Sequence, residues 1–441
     1  MRGPMELDAV ILASHPAGAA RVHGLTLVER ARRVATRAGA RRVLVLDEDR
    51  ARLTGWWRGG RVLVIRATDQ MVHTPLVAPL VAVTAPAVAV APAGAPAADV
   101  APGEYAGAFL VDGAAADAAL AALARGDDDR TIAARLVASG AAAVPHGAIA
   151  RYPVRDARER RAAARLLESI LIKPQDNAIT RYLYRPVSLP LTRLLVRTPI
   201  TPNQISYVVA VMAAIGLWVT AHASMSWAIA GTAIVLASSY LDCCDGEIAR
   251  LKLQSSRYGA WLDTIVDELS SVGYMLAIGW HCHLHFGPQY FTPVLGPLPF
   301  DPWLVAMWAS LATYLIGIYC IYYNIIVVVG SANSQDYASR LEVVPGDQPN
   351  TVRLRPVPAP PLQTARTLPR PLAMILAFLP NIVRRDFICW ASLAFAVLQL
   401  THVAFATLAL GGVVTVVILG LDHARLRLAR REIARRGQMI I

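Results

Sequence analysis

Asp242 and Asp245 stand at i and i+3, and Gly259, Asp263 and Asp267 stand four apart, so each set lines one face of a helix. They fall where one long apolar segment ends and the next begins, in the run Asp242-Cys-Cys-Asp245-Gly246-Glu-Ile-Ala249-Arg250 and the stretch after it. Four carboxylates are thereby expected to converge at the edge of a low-dielectric slab, where they are costly unless neutralised. Hard divalent cations held by oxygen ligands are the usual remedy, and such ions bind phosphate in turn. No histidine or thiolate is placed to help, and Cys243-Cys244 lacks a metal-thiolate spacing, so Mg2+ or Mn2+ is expected rather than zinc. A plain surface salt-bridge cluster would have only Arg250, Lys252 and Arg257 as partners in this stretch.

The elements that must hold these acids are apolar helices. Mean hydropathy is +0.43, and 55% of residues are hydrophobic. Charged residues collect in the first 200 positions, in 330–385 and in the last twenty. Candidate spans are Ser206–Ala221, Trp227–Leu241, Gly259–Trp280, Trp303–Val329, Phe387–Leu400 and Val403–Leu421, about six helices, some short for a crossing of roughly 20 residues. Neither the connection between the first two nor Cys282–Pro302 contains Lys or Arg, whereas Arg193, Arg197, Arg250, Lys252, Arg257, Arg384, Arg385 and Arg425–Arg436 crowd the other side. The positive-inside rule then places both termini and the acids in the cytoplasm. A net charge of +12 raises nucleic acid as a partner. The basic residues flank spans, where anionic headgroups attract them, and no DNA-binding motif occurs, so the bilayer is the expected partner.

The spacing D-x2-D-G-x2-A-R-x8-G-x3-D-x3-D resembles the signature of the CDP-alcohol phosphotransferase family at every fixed position. The resemblance implies transfer of a phospho-alcohol group from a CDP-alcohol to an acceptor hydroxyl, with release of CMP. It implies two metal ions at Asp242, Asp245, Asp263 and Asp267, with Asp267 also the general base. Gly246 and Gly259 would let the nucleotide approach the backbone, Ala249 would keep that helix face thin, and Arg250 would bring charge to the diphosphate. The two glycines equally suit close helix packing in a membrane. Arg384 and Arg385 are the basic candidates for an acceptor phosphate, or plain membrane flanks. A homodimer through the membrane helices is a further implication.

Ahead of the spans, Ala9–Ala13, Arg42–Leu46, Arg61–Ile65 and Ala108–Val111 read as strands, and Leu25–Gly39 has helical spacing ending at a glycine. A parallel α/β sheet is expected. The order Ala9-Val-Ile-Leu-Ala13, a short loop, His23-Gly24-Leu-Thr-Leu-Val-Glu-Arg30 and Ala38-Gly-Ala-Arg-Arg-Val-Leu-Val45 looks like the opening of a sugar-nucleotidyltransferase domain, Rossmann-like in its sheet. Asp69 matches that family's metal-binding aspartate. The phosphate loop, Ser14-His-Pro-Ala-Gly-Ala-Ala-Arg21, has one glycine, a proline that removes a donor, and no downstream lysine. A degenerate domain is expected, with altered nucleotide binding as the alternative.

Together the two likenesses resemble the bifunctional inositol-phosphate cytidylyltransferase and di-inositol-phosphate-phosphate synthase proteins. Lys173-Pro-Gln-Asp176-Asn177, Arg181-Tyr-Leu-Tyr-Arg185-Pro186-Val-Ser188 and Thr201-Pro202-Asn203 add to it. The expected layout is an α/β domain over 1–160, a linker and interfacial helix over 161–203, an all-α membrane domain over 204–425 and a basic tail over 426–441. In the interfacial helix, Arg181, Arg185, Arg193 and Arg197 are headgroup anchors or an acceptor clamp. CDP-inositol with inositol phosphate is the expected substrate pair, CDP-diacylglycerol the alternative donor. His281, His283 and His285 read as interfacial residues of a non-cytoplasmic loop, the five cysteines as packing residues, and Val343–Arg370 as a mobile connection. No cleaved signal is expected at Met1-Arg-Gly-Pro-Met-Glu.

Overall fold

The computed structural model describes residues 6–13, 16–47, 49–97, 99–172, 176, 178–329, 337, 341–346, 350–357 and 385–440. They fall into two units. The first comprises Met1–Gln175, Thr192–Ile200 and Glu247–Gln254, and the second Asp176–Leu191, Thr201–Gly246 and Ser255–Ile441.

In the first unit every residue of β1 (Leu7–Leu12) is buried, which requires a sheet covered on both faces. Ala9 and Ile11 pack with Val34 of α1 (Leu27–Arg37) and with Leu76 and Leu80 of α2 (Thr74–Val81). Val10 and Leu12 face the opposite layer, with Leu120 and Leu123 of α3 (Gly113–Arg125) and Ile132 and Leu136 of α4 (Asp129–Ala138). The period-two alternation of one strand thus feeds two cores. A short hairpin, β2 (Arg21–Val22) and β3 (Leu25–Thr26), leads into α1, whose start Thr26 caps by accepting from the Glu29 amide at 3.1 Å.

β4 (Arg42–Leu46) and β5 (Arg61–Arg66) both run parallel to β1, as expected. The expected parallel sheet is mixed, because β8 (Tyr105–Asp112) pairs antiparallel with both β5 and β7 (Ala87–Val90). No helix separates β7 from β8, and a chain returning without a crossover must run antiparallel. β9 (Ala142–Pro145), parallel to β7, completes the order β4-β1-β5-β8-β7-β9. β6 (Gln70–Val72) and β10 (Arg151–Pro153) form a separate antiparallel pair, followed by α5 (Ala157–Glu168).

The second unit is helical. A π-helical turn at Thr180–Tyr184 runs into α6 (Arg185–Leu195), which continues through Pro190. α7 (Pro202–Thr220) opens on a capping box between Thr201 and Gln204. α8 is Met225–Leu251, α9 Arg257–Phe286, α10 Thr292–Leu295, α11 Pro302–Asn324, α12 Arg385–Val397 and α13 Thr401–Arg435. Among the described residues four helices are long and apolar enough to cross a membrane: α7, α8, α11 with its extension to Val329, and α13. Of the six expected spans, the other two differ in kind. α9 carries Asp263, Asp267 and Glu268, and α12 is described only from Arg385 to Val397, the residues just before it lying outside the described ones.

Two expectations give way in this unit, the mobile connection and the loop at the three histidines. β11 (Leu341–Pro345) and β12 (Thr351–Pro356) form an antiparallel hairpin in the stretch read as mobile, with Val343 opposite Leu354; residues 358–384 lie outside the described residues. The basic tail is structured, because Arg427 and Arg430 lie over the Tyr323 ring at 5.0 and 5.9 Å and β13 (Met439–Ile440) pairs with β12. His281, His283 and His285 belong to the end of α9. His281 is buried because its Nδ1 bonds the His222 carbonyl at 2.6 Å and its Nε2 the Thr401 hydroxyl at 3.2 Å. His283 pairs with Asp301 at 2.7 Å. All five cysteines are free.

Candidate active site

α8 projects Asp242 and Asp245 from one face, and α9 brings Asp263 against them. One carboxylate oxygen from each of the three lies within 4.8 Å of the others. Among the described residues this is the only group of three or more acids, histidines or cysteines arranged to hold a metal ion. The donors are oxygens alone, at a spacing one hard cation can span, so the residues fit a divalent ion. Asp245 is 6% exposed, and its Oδ2 accepts the Ser206 hydroxyl of α7 at 2.5 Å. Ser206 had been legible only as the first residue of a span.

The fourth acid departs from the expected convergence. Asp267, one turn beyond Asp263, is ion-paired with Arg385, whose Nη2 also reaches Asp242 Oδ2 at 3.6 Å. Arg385 therefore ties Asp267 to the rim of the acid group. Arg385 is the first described residue of α12, and the neighbouring Asp386 is held by the Thr180 hydroxyl at 2.7 Å and, through its carbonyl, by the Tyr184 hydroxyl at 3.2 Å. The π-helical turn thus fixes where the guanidinium starts. Arg384 lies outside the described residues.

Gly259 sits in the first turn of α9, where its amide donates to the capping Ser256 hydroxyl at 3.0 Å. A side chain there would meet Asn203 Oδ1 at 2.9 Å, so the glycine lets the start of α7 approach closely. Gly246 continues α8 after Asp245, and Ala249 and Arg250 follow within one turn. Arg185 pairs with Asp176 at 2.7 Å and Arg193 with Glu168 at 2.8 Å.

A cavity of about 540 Å3 opens inside the second unit, with Arg385 in its wall. Its lining is mainly apolar, including Met275, Phe395 and Leu408, and Gly317, Gly411 and Gly412 make its room. Glu268, also in the wall, accepts the Tyr314 and Tyr322 hydroxyls at 2.6 and 3.2 Å. Nothing in the sequence foretold it, since its walls come from five helices.

Residues 199–418 match the CDP-alcohol phosphatidyltransferase family. The chain is 31% identical over 123 residues to a protein of Aquifex aeolicus (strain VF5) named bifunctional IPC transferase and DIPP synthase, covering 27% of this chain and 28% of that one. It is 37% identical over 93 residues to a protein of the same name from Rubrobacter xylanophilus (strain DSM 9941 / JCM 11954 / NBRC 16129 / PRD-1), covering 21% of each. It is 35% identical over 89 residues to the CDP-diacylglycerol--inositol 3-phosphatidyltransferase of Drosophila melanogaster, covering 20% of this chain and 36% of that protein. The matched segments therefore span well under half the length of these relatives.

Proposed function

Since residues 199–418 are a CDP-alcohol phosphatidyltransferase domain, we propose that this membrane protein transfers a phospho-alcohol group from a CDP-alcohol to an acceptor hydroxyl and releases CMP. The observation that carries this is the meeting of Asp242, Asp245 and Asp263 between two helices. Those three, with Asp267, would hold two Mg2+ or Mn2+ ions, as the likeness implies. Bound there, the ions would neutralise the diphosphate and draw off charge developing on CMP. Asp267 takes the proton of the acceptor hydroxyl as its oxygen bonds to the distal phosphorus and the bond from that phosphorus to the CMP oxygen breaks. Arg385, already bonded to Asp267, is placed to receive an acceptor phosphate and to orient the hydroxyl beside its base. Gly246, Ala249, Arg250 and Gly259 form the CDP side. The acids and both termini face the cytoplasm, and the membrane helices form a homodimer.

CDP-inositol with inositol phosphate is the favoured pair, supported by relatives named IPC transferase and DIPP synthase and by the α/β unit that precedes the membrane part. That unit, 1–160, is a degenerate nucleotidyltransferase-like domain. A second reading, CDP-diacylglycerol as donor, draws support from the apolar cavity beside Arg385 and from the Drosophila relative's name. The test is CMP release by the full-length protein in detergent with Mg2+, offering inositol phosphate with either donor. Turnover of CDP-inositol supports the first, turnover of the lipid donor alone the second, and release from neither overturns both. Replacing Arg385 with Gln should raise the acceptor requirement and spare donor binding.

A further inference from the structure

At the C-terminal edge of β5 the first unit gathers two acids and a guanidinium that phospho-alcohol transfer does not use. Arg66 donates from Nε to Asp69 Oδ1 at 2.9 Å and from Nη2 to Asp69 Oδ2 at 3.2 Å. Its Nη1 lies 3.7 Å from Asp129 Oδ1, and Asp129 Oδ2 accepts the Tyr105 hydroxyl at 2.9 Å. Arg66 is 18% exposed and Asp129 7%. In open α/β sheets the carboxyl ends of the strands are where ligands bind, and Asp69 is the residue that the likeness to sugar nucleotidyltransferases places at the metal.

We propose that the Arg66 guanidinium is a built-in cation that holds Asp69 and Asp129 in place of a divalent ion, leaving a cation site closed by the chain itself. This rests on the nucleotidyltransferase-like reading of 1–160. A planar guanidinium supplies two parallel N–H bonds to one carboxylate and a third nitrogen to another, which meets the needs of oxygens that would otherwise take a metal. Its place is fixed from behind. Gln70 Nε2 donates to the Arg66 carbonyl at 3.0 Å, Arg151 Nε donates to Gln70 Oε1 at 2.9 Å, and the other Arg151 nitrogens grip Asp99 at 3.0 and 2.7 Å. A Cβ on Gly107 would lie 2.0 Å from Gln70 Nε2, so this packing requires glycine. This buried chain fixes the Arg66 backbone, from which the guanidinium reaches Asp69. One positive charge between two acids is less than a divalent ion gives, and burial, opposed by Arg66, pushes Asp129 up to about 6.

The test uses the full-length chain with Asp242, Asp245 and Asp263 changed to Asn, so that the membrane unit no longer competes, and reads Mn2+ by electron paramagnetic resonance with and without CTP. The chain retaining Arg66 should bind no Mn2+ saturably, and its melting temperature should not differ between EDTA and Mn2+. Arg66→Ala should gain one saturable Mn2+ site and lose it again with Asp69→Asn. Should Arg66→Ala not fold, Arg66→Lys, whose point charge cannot span both acids, should show a weaker gain. Saturable Mn2+ in the chain retaining Arg66, lost on Asp69→Asn, would overturn the built-in cation and leave the domain likeness standing. No gain in a folded Arg66 variant would overturn both. CMP release by the chain with its acid motif intact reports separately on the transferase.

Discussion

Ser206→Ala should raise the metal concentration that CMP release requires by about 10- to 100-fold. Ser206 Oγ donates to Asp245 Oδ2 at 2.5 Å, and the two residues are 4% and 6% exposed. Water cannot replace the lost donor there. A hydrogen bond to a charged group is worth about 1.5–3 kcal/mol, and each 1.36 kcal/mol is about tenfold, which gives roughly one to two decades. Removing an orienting partner of a metal-binding carboxylate typically costs a similar factor of about 10–100. Titrating Mg2+ or Mn2+ against CMP release should show the activation constant rising by that factor, with turnover at saturating metal reduced much less. Ser206→Thr, which keeps the hydroxyl, should restore most of it. An unchanged metal dependence in a folded Ser206→Ala protein would refute the idea that this hydroxyl aims Asp245.

Three further outcomes are open to measurement. Gly411 lines the cavity and a Cβ there meets nothing within 4 Å, so Gly411→Leu should fold normally, leave turnover of CDP-inositol unchanged and cut that of CDP-diacylglycerol about tenfold or more; equal effects would remove the cavity from donor choice. Gly231→Ala should cost about 1–3 kcal/mol, because a Cβ would lie 2.3 Å from the Thr220 amide nitrogen and 2.6 Å from the Gly216 carbonyl; an unshifted melting temperature in detergent would contradict the tight α7–α8 crossing. Burial, then Arg30 and Arg37, push His73 down to about 4 from 6.5, so the unfolded chain takes up a proton first and stability falls from about pH 6.5 toward 4, by about 3 kcal/mol at most. Asp129, raised, works the other way, so the comparison is with His73→Gln, which should lose less stability between pH 7 and 5; equal losses would show that His73 is not kept neutral.

The acid motif was legible because helical spacing converts sequence intervals directly into a face. Asp242 and Asp245 needed only α8 to be a helix, and Asp263 only α9. Asp267 shares that face with Asp263 yet turns to Arg385, a partner 118 positions away that no local period announces. Ser206 was hidden for the same reason, and also because a serine in a span ordinarily bonds its own backbone. In the α/β unit, strand runs such as Arg42–Leu46 were plain from composition, but the direction of β8 was not, since direction depends on whether a helix intervenes and Ala78–Pro102 is compositionally ambiguous. The two strands at 341–345 and 351–356 each contain a proline that reads as punctuation, although Pro345 and Pro356 both fall at strand ends, where a missing amide does no harm.

The two units treat clustered acids in opposite ways, and the contrast bears on function. At Asp69 and Asp129 a guanidinium bonds one acid twice and approaches the other, so the charge is answered within the fold and little drive for an ion remains. At Asp242, Asp245 and Asp263 the chain brings three carboxylates within 4.8 Å of one another, while Arg385 is spent chiefly on Asp267 and Asp245 takes a neutral hydroxyl. Three carboxylates held this close repel one another, and on the proposed reading a divalent ion would relieve that repulsion. Arg385→Ala should therefore leave the acid group more strongly ion-binding, even as it costs acceptor affinity. A falling metal affinity in that variant would mean instead that the guanidinium organises the acids as ligands.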